Sequence, residues 1–299
     1  MQLLKRIATA AVLIPIVLLL ILRAPIPVLA FVAAFVALLT VSELLKLAEV
    51  YGIRPFYRPT YVFVALFFVL LAINPRDIKP LLSTAIFIYT TGFAAAIAAF
   101  VFLVIGMRSI DLRRSFPAAA VSVFAFCYVA LPLGFMVQVR EQWSGAFLLL
   151  YLLLVVWAGD IFAYFIGKPF GRHRMSPRVS PNKTWEGAVA SVLASIAVGV
   201  LMFHYAVPIS RALLHSHLIE LKDGVFQETP LLPVIVLSIV LNIAAQLGDL
   251  LESLIKRGVG AKDSGSILPG HGGMLDRIDA LLFAAPVLWC YAAWQVMTQ

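Results

Sequence analysis

The segment from Gln246 to Asp279 reads QLGDLLESLIKRGVGAKDSGSILPGHGGMLDRID. It begins at the end of one charge-free apolar run, and the next such run starts directly after it. Acidic residues, a lysine–arginine pair, a glycine-rich stretch and one histidine lie between the two runs. The apolar runs predict membrane-spanning helices, and charged groups held between such helices usually serve a function. We therefore expect the chemistry of the protein to lie in this segment.

The composition of the 299 residues is typical of a membrane protein. Hydrophobic residues make up 62% and charged residues 13%, and the mean hydropathy is +0.99. Charge-free runs that approach or exceed the roughly 20 residues of a spanning helix occur at nine places. These are residues 7–22, 24–42, 59–75, 80–107, 115–139, 142–159, 187–210, 229–248 and 280–299. We predict an all-α polytopic membrane protein with about nine transmembrane helices.

The net charge of +8 admits two kinds of partner, nucleic acid and anionic lipid. With nine spans and a cytoplasmic N-terminus, most of the 23 lysines and arginines fall on the cytoplasmic side. This is the positive-inside bias of membrane proteins. It predicts an inner-membrane protein with a cytoplasmic N-terminus and argues against a nucleic-acid partner.

The polar residues divide the chain into two regions. Residues 1–139 are expected to form about five spans with little chemistry, and we interpret Glu43 and Glu49 as interfacial acids paired with Lys46 by helical spacing. Residues 140–299 are expected to form a catalytic transmembrane region with two cytoplasmic loops.

The first of these loops follows an acid inside an apolar helix. An acid such as Asp160 at membrane depth costs ~3 kcal/mol, so it usually faces a polar interior. Residues 167–187 combine glycines, prolines and hydroxyls with several cations, and Ser180, Lys183 and Thr184 precede a helix whose N-terminus suits an anion. We predict a phosphate-binding loop. The alternatives are a structural hydrogen bond from Asp160 and a basic membrane-surface loop.

The second site is a cluster of acids. Asp249, Glu252 and Ser253 share one helical face, and Asp276 and Asp279 start the next helix three residues apart. Three or four carboxylates brought together cannot all stay ionised unless a cation neutralises them. Oxygen ligands without cysteine favour Mg²⁺ over Zn²⁺. We therefore predict a magnesium site.

The loop at residues 262–273 joins the two helices and cannot itself be helical. Gly272 and Gly273 permit positive φ and a close backbone approach to a ligand. His271 could contact a phosphate, support a carboxylate or be purely structural. Arg277 lies between two acids, as their ion-pair partner or as a phosphate clamp.

These motifs together resemble the signature of the phosphatidate cytidylyltransferase (CDP-diacylglycerol synthase) family. That signature runs Ser-x-apolar-Lys-Arg, four residues, Lys-Asp, then Gly and Pro, then His-Gly-Gly-apolar-x-Asp-Arg-apolar-Asp. Its fixed positions are filled here by Ser253, Lys256, Arg257, Lys262, Asp263, Gly265, Pro269, His271, Gly272, Gly273, Asp276, Arg277 and Asp279. Residues 180–187 also fit, except that Asn182 stands where lysine is more usual. The resemblance extends from about Trp157 to Asp279.

The resemblance implies transfer of CMP from CTP to phosphatidate in the bilayer, with CDP-diacylglycerol and pyrophosphate as products. It also implies a dinuclear Mg²⁺ site on Asp249, Asp276 and Asp279, with the second cation left open. The catalytic residues it implies are Asp249, Lys256, Arg257, Lys262, Asp263, His271 and Arg277. The substrate-binding residues it implies are Asp160, Ser180, Lys183, Thr184, Ser253, Gly272 and Gly273. The sequence is compatible with a homodimer.

Other functions remain alternatives at this point. A related CTP-dependent lipid kinase or an ether-lipid cytidylyltransferase would use similar groups. An ion transporter could use Asp160 and Asp249 as an ion path, although its acids should then lie near the midplane. A non-catalytic relative that serves as a scaffold would not need the complete set of acids.

Overall fold

The computed structural model describes residues 2–73, 79–109, 111–265, 267 and 272–298, with side chains from residue 11 onward. Within these residues the chain is almost entirely helical. The α-helices are α1 (Gln2–Arg23), α2 (Ile26–Val50), α3 (Tyr57–Ala72), α4 (Pro80–Gly106), α5 (Leu112–Ala125), α6 (Leu131–Glu141), α7 (Gly145–Phe170), α8 (Trp185–His204), α9 (Ala206–His215), α10 (Leu231–Gly258) and α11 (Leu275–Thr298). A π-helical turn at Phe126–Ala130 joins α5 to α6. The prediction of an all-α polytopic membrane protein is confirmed.

Short elements complete the described structure. Strands β1 (Arg174–Ser176) and β2 (Ser180–Thr184) form a small antiparallel hairpin between α7 and α8, and Leu221–Asp223 is a 3₁₀ turn. The hairpin occupies part of the segment that was expected to be a loop. The chain therefore reaches α8 through an ordered strand.

Seven helical segments of the described chain are long and apolar enough to cross a membrane. They are α2, α4, the continuous segment α5–α6, α7, α8, α10 and α11. Two shorter apolar helices, Ala11–Arg23 and Tyr57–Ala72, coincide with the first and third of the predicted runs. Nine spans and a cytoplasmic N-terminus stay predictions.

Helix α11 lies between the two hydrophobic cores of the protein. Leu275 and Leu282 pack into a core formed mainly by α2–α6, whereas Ala284 and Leu288 pack into a second core with α7, α8 and α10. Burial of these side chains on opposite faces makes α11 the shared wall of the two halves. A residue near the start of α11 can therefore meet groups from both halves.

Buried polar side chains join α7, α8 and α10. Asn242 Nδ2 donates to the Oγ atoms of Ser191 and Ser195, both at 2.8 Å. Tyr151 and Ser238 share a hydrogen bond of 2.8 Å between their hydroxyls. Inside a bilayer such groups have no water to pair with, so interhelical hydrogen bonds fix the relative positions of the three helices.

A buried ion pair joins the segment before α10 to the N-terminal helices. Arg140 Nη1 donates to Asp223 Oδ1 at 2.6 Å, and Arg140 Nε donates to the carbonyl oxygen of Ile21 at 2.6 Å. Both charged side chains are buried. The contact links α1, α6 and the 3₁₀ turn that precedes α10.

The crossing of α10 and α11 depends on Gly248. A Cβ atom at this position would overlap the carbonyl oxygen of Asp279 and approach the Cα of Ala280 at 3.3 Å. The absence of a side chain lets the two helix backbones approach closely. The residues that follow Gly248 on α10 are thereby brought against the first turns of α11.

Replacement of Gly248 by alanine should destabilise the protein, because the added methyl group meets backbone rather than a movable side chain. We expect Gly248→Ala to lower the free energy of unfolding by about 1–3 kcal/mol, the usual cost of overpacking. Gly92→Ala is the matched control, since a Cβ on that exposed α4 residue meets nothing within 4 Å. Thermal unfolding in detergent measures both; equal unfolding temperatures would contradict a close crossing at Gly248.

Candidate functional site

Three carboxylates meet where α10 crosses α11. Asp249, Glu252 and Asp279 each offer an oxygen atom, and these atoms all lie within 4.8 Å of one another. The three-residue spacing places Asp249 and Glu252 on one face of α10. The close approach at Gly248 brings Asp279 of α11 against that face. The predicted convergence of acids from the two helices is therefore present.

A buried lysine compensates part of this negative charge. Lys256 Nζ lies 2.5 Å from Glu252 Oε2 and 2.6 Å from Asp276 Oδ1. Lys256 and Glu252 are both buried. An uncompensated buried carboxylate would cost several kcal/mol, so the contacts of Lys256 stabilise the packing of Glu252 and Asp276.

Asp276 lies outside the group of three acids. Its Oδ2 atom accepts hydrogen bonds from Gly273 N at 2.7 Å, from Ser264 N at 2.9 Å and from Ser264 Oγ at 3.0 Å. With Lys256 on Oδ1, both of its oxygens have close partners. The three carboxylates that lie close together are therefore not the three predicted metal ligands. Glu252 takes the place of Asp276 beside Asp249 and Asp279. Asp276 instead holds the loop before α11.

Glu43 of α2 belongs to the same network, which the sequence interpretation missed. It accepts hydrogen bonds from Ser264 Oγ at 3.0 Å, from Met274 N at 2.9 Å and from Leu275 N at 2.9 Å. Its side chain is 2% exposed, so the prediction of an interfacial acid paired with Lys46 is wrong. A carboxylate at a helix N-terminus is favourable because it satisfies unpaired N–H groups. The available signal was that Glu43 is the first charged residue of an otherwise apolar helix, one turn or more inside its C-terminal end.

The strand β2 brings a second lysine to the acids. Lys183 Nζ lies 2.8 Å from Asp249 Oδ2 and donates to the carbonyl oxygen of Gln246 at 3.3 Å. Thr184, the next residue, caps α8, because its Oγ1 accepts a hydrogen bond from Gly187 N at 3.2 Å. Two predicted substrate-binding residues are thus held at the cluster or beside it.

Two further predicted residues adjoin Asp249. Ser253 Oγ donates to Asp249 Oδ1 at 3.4 Å, which is a long hydrogen bond. Asp160 on α7 is exposed and lies within electrostatic range of Asp249 and Lys183. The first predicted loop and the acid cluster therefore form one site, shared by α7, β2, α10 and α11.

Other predicted site residues lie on the surface around this site. Arg257 is exposed and donates through Nη1 to the carbonyl oxygen of Ala261 at 2.9 Å. Lys262, Asp263 and Arg277 are also exposed. Among the described residues, no ion pair joins Arg257 or Lys262 to the carboxylate group. All four lie at the facing ends of α10 and α11 or on the segment between them.

The remaining predicted positions lie on the two loops. Ser180 pairs with Ser176 in the hairpin and is half-buried. Gly272 has φ +78°, and a Cβ there would run into the carboxylate of Asp276. Gly273 contributes its backbone N–H to the same carboxylate. The prediction for His271 falls outside the described residues.

The donor set fits a hard divalent cation. Two oxygens on opposite sides of a Mg²⁺ ion lie about 4 Å apart, close to the spacing found among the three carboxylates. Within the described residues, Oε1 of Glu252 is buried and accepts no hydrogen bond. A buried acceptor without a donor is costly, and a cation would satisfy it. Lys183 and Lys256 leave the group with net negative charge.

A sequence profile of the cytidylyltransferase family matches residues 4–294. This is nearly the whole chain. The chain belongs to the cytidylyltransferase family. Membership covers the first helices as well as the acid-rich segment, so the contribution of Glu43 from α2 lies within the family fold.

Curated members of the cytidylyltransferase family are similar to this chain over about half of its length or more. A phosphatidate cytidylyltransferase of Brucella abortus is 38% identical over 180 residues, 60% of this chain and 58% of that protein. One of Staphylococcus haemolyticus is 37% identical over 176 residues, 59% and 60% of the two chains. One of Haemophilus influenzae is 36% identical over 147 residues, 49% and 46%. The chain thus spans less than two thirds of the length of each of these relatives.

Removal of the Glu43 carboxylate should loosen the cytidylyltransferase-family site from a distance. In Glu43→Ala the backbone amides of Met274 and Leu275 lose their acceptor at about 1–2 kcal/mol each, whereas Ser264 Oγ keeps Asp276 Oδ2, so we expect the free energy of unfolding to fall by roughly 2–4 kcal/mol. Hydrogen–deuterium exchange at the amides of Met274 and Leu275 should accelerate. Glu49→Ala on the exposed face of the same helix is the control. Unchanged exchange at both amides would show that Glu43 does not cap α11.

Proposed function

We propose that this protein is a membrane-bound phosphatidate cytidylyltransferase. It transfers CMP from CTP to phosphatidate and releases pyrophosphate, leaving CDP-diacylglycerol in the bilayer. The observation that carries the proposal is the group of Asp249, Glu252 and Asp279 between Lys183 and Lys256. Family membership and the names of the relatives support the choice of reaction.

The proposed reaction depends on the neutralisation of negative charge more than on a general base. A phosphate monoester has a second pKa of about 6, so the phosphatidate phosphate is largely a dianion at neutral pH. One of its oxygens attacks the α-phosphorus of CTP, the bond to the bridging oxygen breaks, and pyrophosphate leaves with that oxygen. No proton has to be removed from the nucleophile. The barrier lies in bringing two anions together.

We propose that Mg²⁺ is held by Asp249, Glu252 and Asp279. When bound, the cation neutralises phosphate oxygens and the developing charge on the leaving group. Asp276, predicted as a metal ligand, acts here by holding Ser264, Gly273 and Lys256 in place. A dinuclear site would take its further ligands from the substrate phosphates.

The chain's own cations complete the neutralisation. Lys183 stands beside Asp249, where it can turn toward a phosphate oxygen without leaving the site. Lys256 balances Glu252 and Asp276 and keeps the carboxylates in position. The exposed Arg257, Lys262 and Arg277 provide positive charge at the facing ends of α10 and α11 and on the segment between them. This charge attracts a triphosphate.

The membrane location follows from the two substrates. Phosphatidate stays in the bilayer and CTP stays in water, so both can meet only at an interface. We propose nine spans in the inner membrane, with the N-terminus and the site on the cytoplasmic face where CTP is made available. The positive-inside distribution of lysine and arginine supports this orientation. A homodimer stays a prediction.

The other functions are less well supported. The names of the relatives do not favour a lipid kinase or an ether-lipid transferase. The acids gather at the C-terminal end of α10 and the N-terminal end of α11, whereas an ion path would place them near the midplane. The acid set is complete, which argues against a scaffold.

The direct test is an assay of the purified full-length protein with radiolabelled CTP. We expect label to enter the lipid fraction as CDP-diacylglycerol when phosphatidate and Mg²⁺ are both present. Omission of either should abolish incorporation. Transfer of the γ-phosphate to a lipid, followed with γ-labelled CTP, would identify a kinase and contradict the proposal.

The aspartates should be indispensable for turnover. Asp249→Asn and Asp279→Asn each remove a charged metal ligand, and we expect both to lower activity by a thousandfold or more, since charge stabilisation supplies most of the rate in phosphoryl transfer. Glu228→Gln, on the exposed segment before α10, is the matched control and should retain wild-type activity. Near-normal rates in both asparagine variants would remove these residues from the site.

Glu252 separates the observed group from the set predicted by sequence. Glu252→Gln keeps the shape of the side chain but removes its charge, so we expect the Mg²⁺ concentration for half-maximal activity to rise by about ten- to a hundredfold. Asp276→Asn should chiefly lower the stability of the α10–α11 loop. The measurement is a Mg²⁺ titration of activity together with thermal unfolding of both variants. If the Mg²⁺ concentration for half-maximal activity rises for Asp276→Asn and not for Glu252→Gln, the metal ligands predicted from the sequence, with Asp276 in place of Glu252, would be favoured.

A further inference from the structure

The π-helical turn at Phe126–Ala130 interrupts the long segment α5–α6. Leu131 N donates to the carbonyl oxygen of Phe126, five residues earlier, instead of four. Such turns add a residue to the helix, change the direction of the side chains around them and often occur at functional sites. This one carries Tyr128. It lies in the region where the sequence was expected to hold little chemistry.

Tyr128 has an unusual environment for a tyrosine. Its side chain is 8% exposed, and its hydroxyl is buried and has no hydrogen-bond partner among the residues that the structure describes. A buried hydroxyl left unpaired costs about 1–3 kcal/mol. Phenylalanine would fill the same space without that cost. The hydroxyl therefore requires an explanation other than packing.

The ring of Tyr128 is held against α11 beside the acid cluster. It stacks on Phe124 with ring centroids 5.1 Å apart and meets Phe283 edge-on at 6.0 Å. Phe283 is four residues after Asp279, so both project from one face of α11. The ring of Tyr128 therefore packs on the face of α11 that carries Asp279.

The charged groups that face Tyr128 are acids. Glu252, Asp279 and Asp249 lie within electrostatic range of its hydroxyl. The structure shows no hydrogen bond between that hydroxyl and any of the three. A group bound among the carboxylates would supply the missing acceptor. A phosphate oxygen is a strong acceptor for a phenol O–H.

We propose that Tyr128 contacts the substrate: its hydroxyl donates a hydrogen bond to a phosphate oxygen bound at the Asp249–Glu252–Asp279 group. This inference rests on the proposed function. The phosphate belongs either to CTP or to phosphatidate, and the two sources share this acceptor chemistry. The buried hydroxyl stays unpaired in the free protein so that it is already positioned when the phosphate binds.

The test compares Tyr128→Phe with Tyr151→Phe in the full-length protein. Tyr151 is also a fully buried tyrosine, but its hydroxyl is hydrogen-bonded to Ser238 at 2.8 Å. Three quantities are measured: the unfolding temperature without substrates, the affinity for CTP and for pyrophosphate in the presence of Mg²⁺, and kcat and KM for CTP and for phosphatidate in vesicles.

A substrate contact predicts opposite results for the two variants. Tyr128→Phe should unfold at the wild-type temperature or above it, while kcat/KM falls about ten- to a hundredfold, the worth of a hydrogen bond to a charged group. Tyr151→Phe should unfold at a lower temperature and keep wild-type kinetics. Weaker binding of CTP assigns the phosphate to the nucleotide. Unchanged CTP binding with a higher KM for phosphatidate assigns it to the lipid.

Two results would overturn the inference. One is Tyr128→Phe with wild-type kinetics and binding. The other is an unfolding temperature lowered as far as that of Tyr151→Phe, which would show that the hydroxyl is already paired in the resting protein. An inactive wild-type protein would refute the proposed function instead. The affinities of the wild-type protein and of Tyr128→Phe for pyrophosphate in the presence of Mg²⁺ would then decide the role of Tyr128. Equal affinities of the two proteins would reject the phosphate contact.

Discussion

The rest of the site depends on the ion pairs of Lys256 with Glu252 and Asp276. A buried ammonium group stands between Glu252 of α10 and Asp276 of α11 and forms an ion pair with each. Carboxylates taken out of water repel one another and lose several kcal/mol of hydration each. Because Lys256 pairs with Glu252 and Asp276 and Lys183 pairs with Asp249, the acids can stay close to one another.

The position of α11 makes this arrangement a property of the whole protein. The helix packs against the N-terminal helices on one face and against α7, α8 and α10 on the other. Glu43 reaches its first turn from α2, and Tyr128 reaches its side from the π-helical turn. The boundary predicted near residue 139 separates stretches of sequence, but the site draws residues from both sides of it. The first helices therefore do more than anchor the catalytic ones.

The hairpin between α7 and α8 gives the site its second cation. A flexible basic loop would spread its charge over many positions, whereas β2 sets Lys183 against Asp249 and ends at the cap of α8. The same strand leaves other basic residues of the segment exposed. The segment thus holds one lysine against the carboxylates and leaves Arg172, Arg174 and Arg178 exposed.

The sequence by itself determined the helical membrane class, the family resemblance and the shared face of Asp249 and Glu252. These follow from local rules, because apolar length and a period of 3.6 residues need no knowledge of neighbouring helices. Only the tertiary structure decided which acids converge. Asp279 joins Asp249 and Glu252, while Asp276 pairs with Lys256 further along α10, because the backbone approach at Gly248 sets how α11 is rotated and shifted against α10. Glu43 meets Leu275 across 232 residues of chain. Such a contact depends on how separate helices pack, and no periodicity within either helix contains that information.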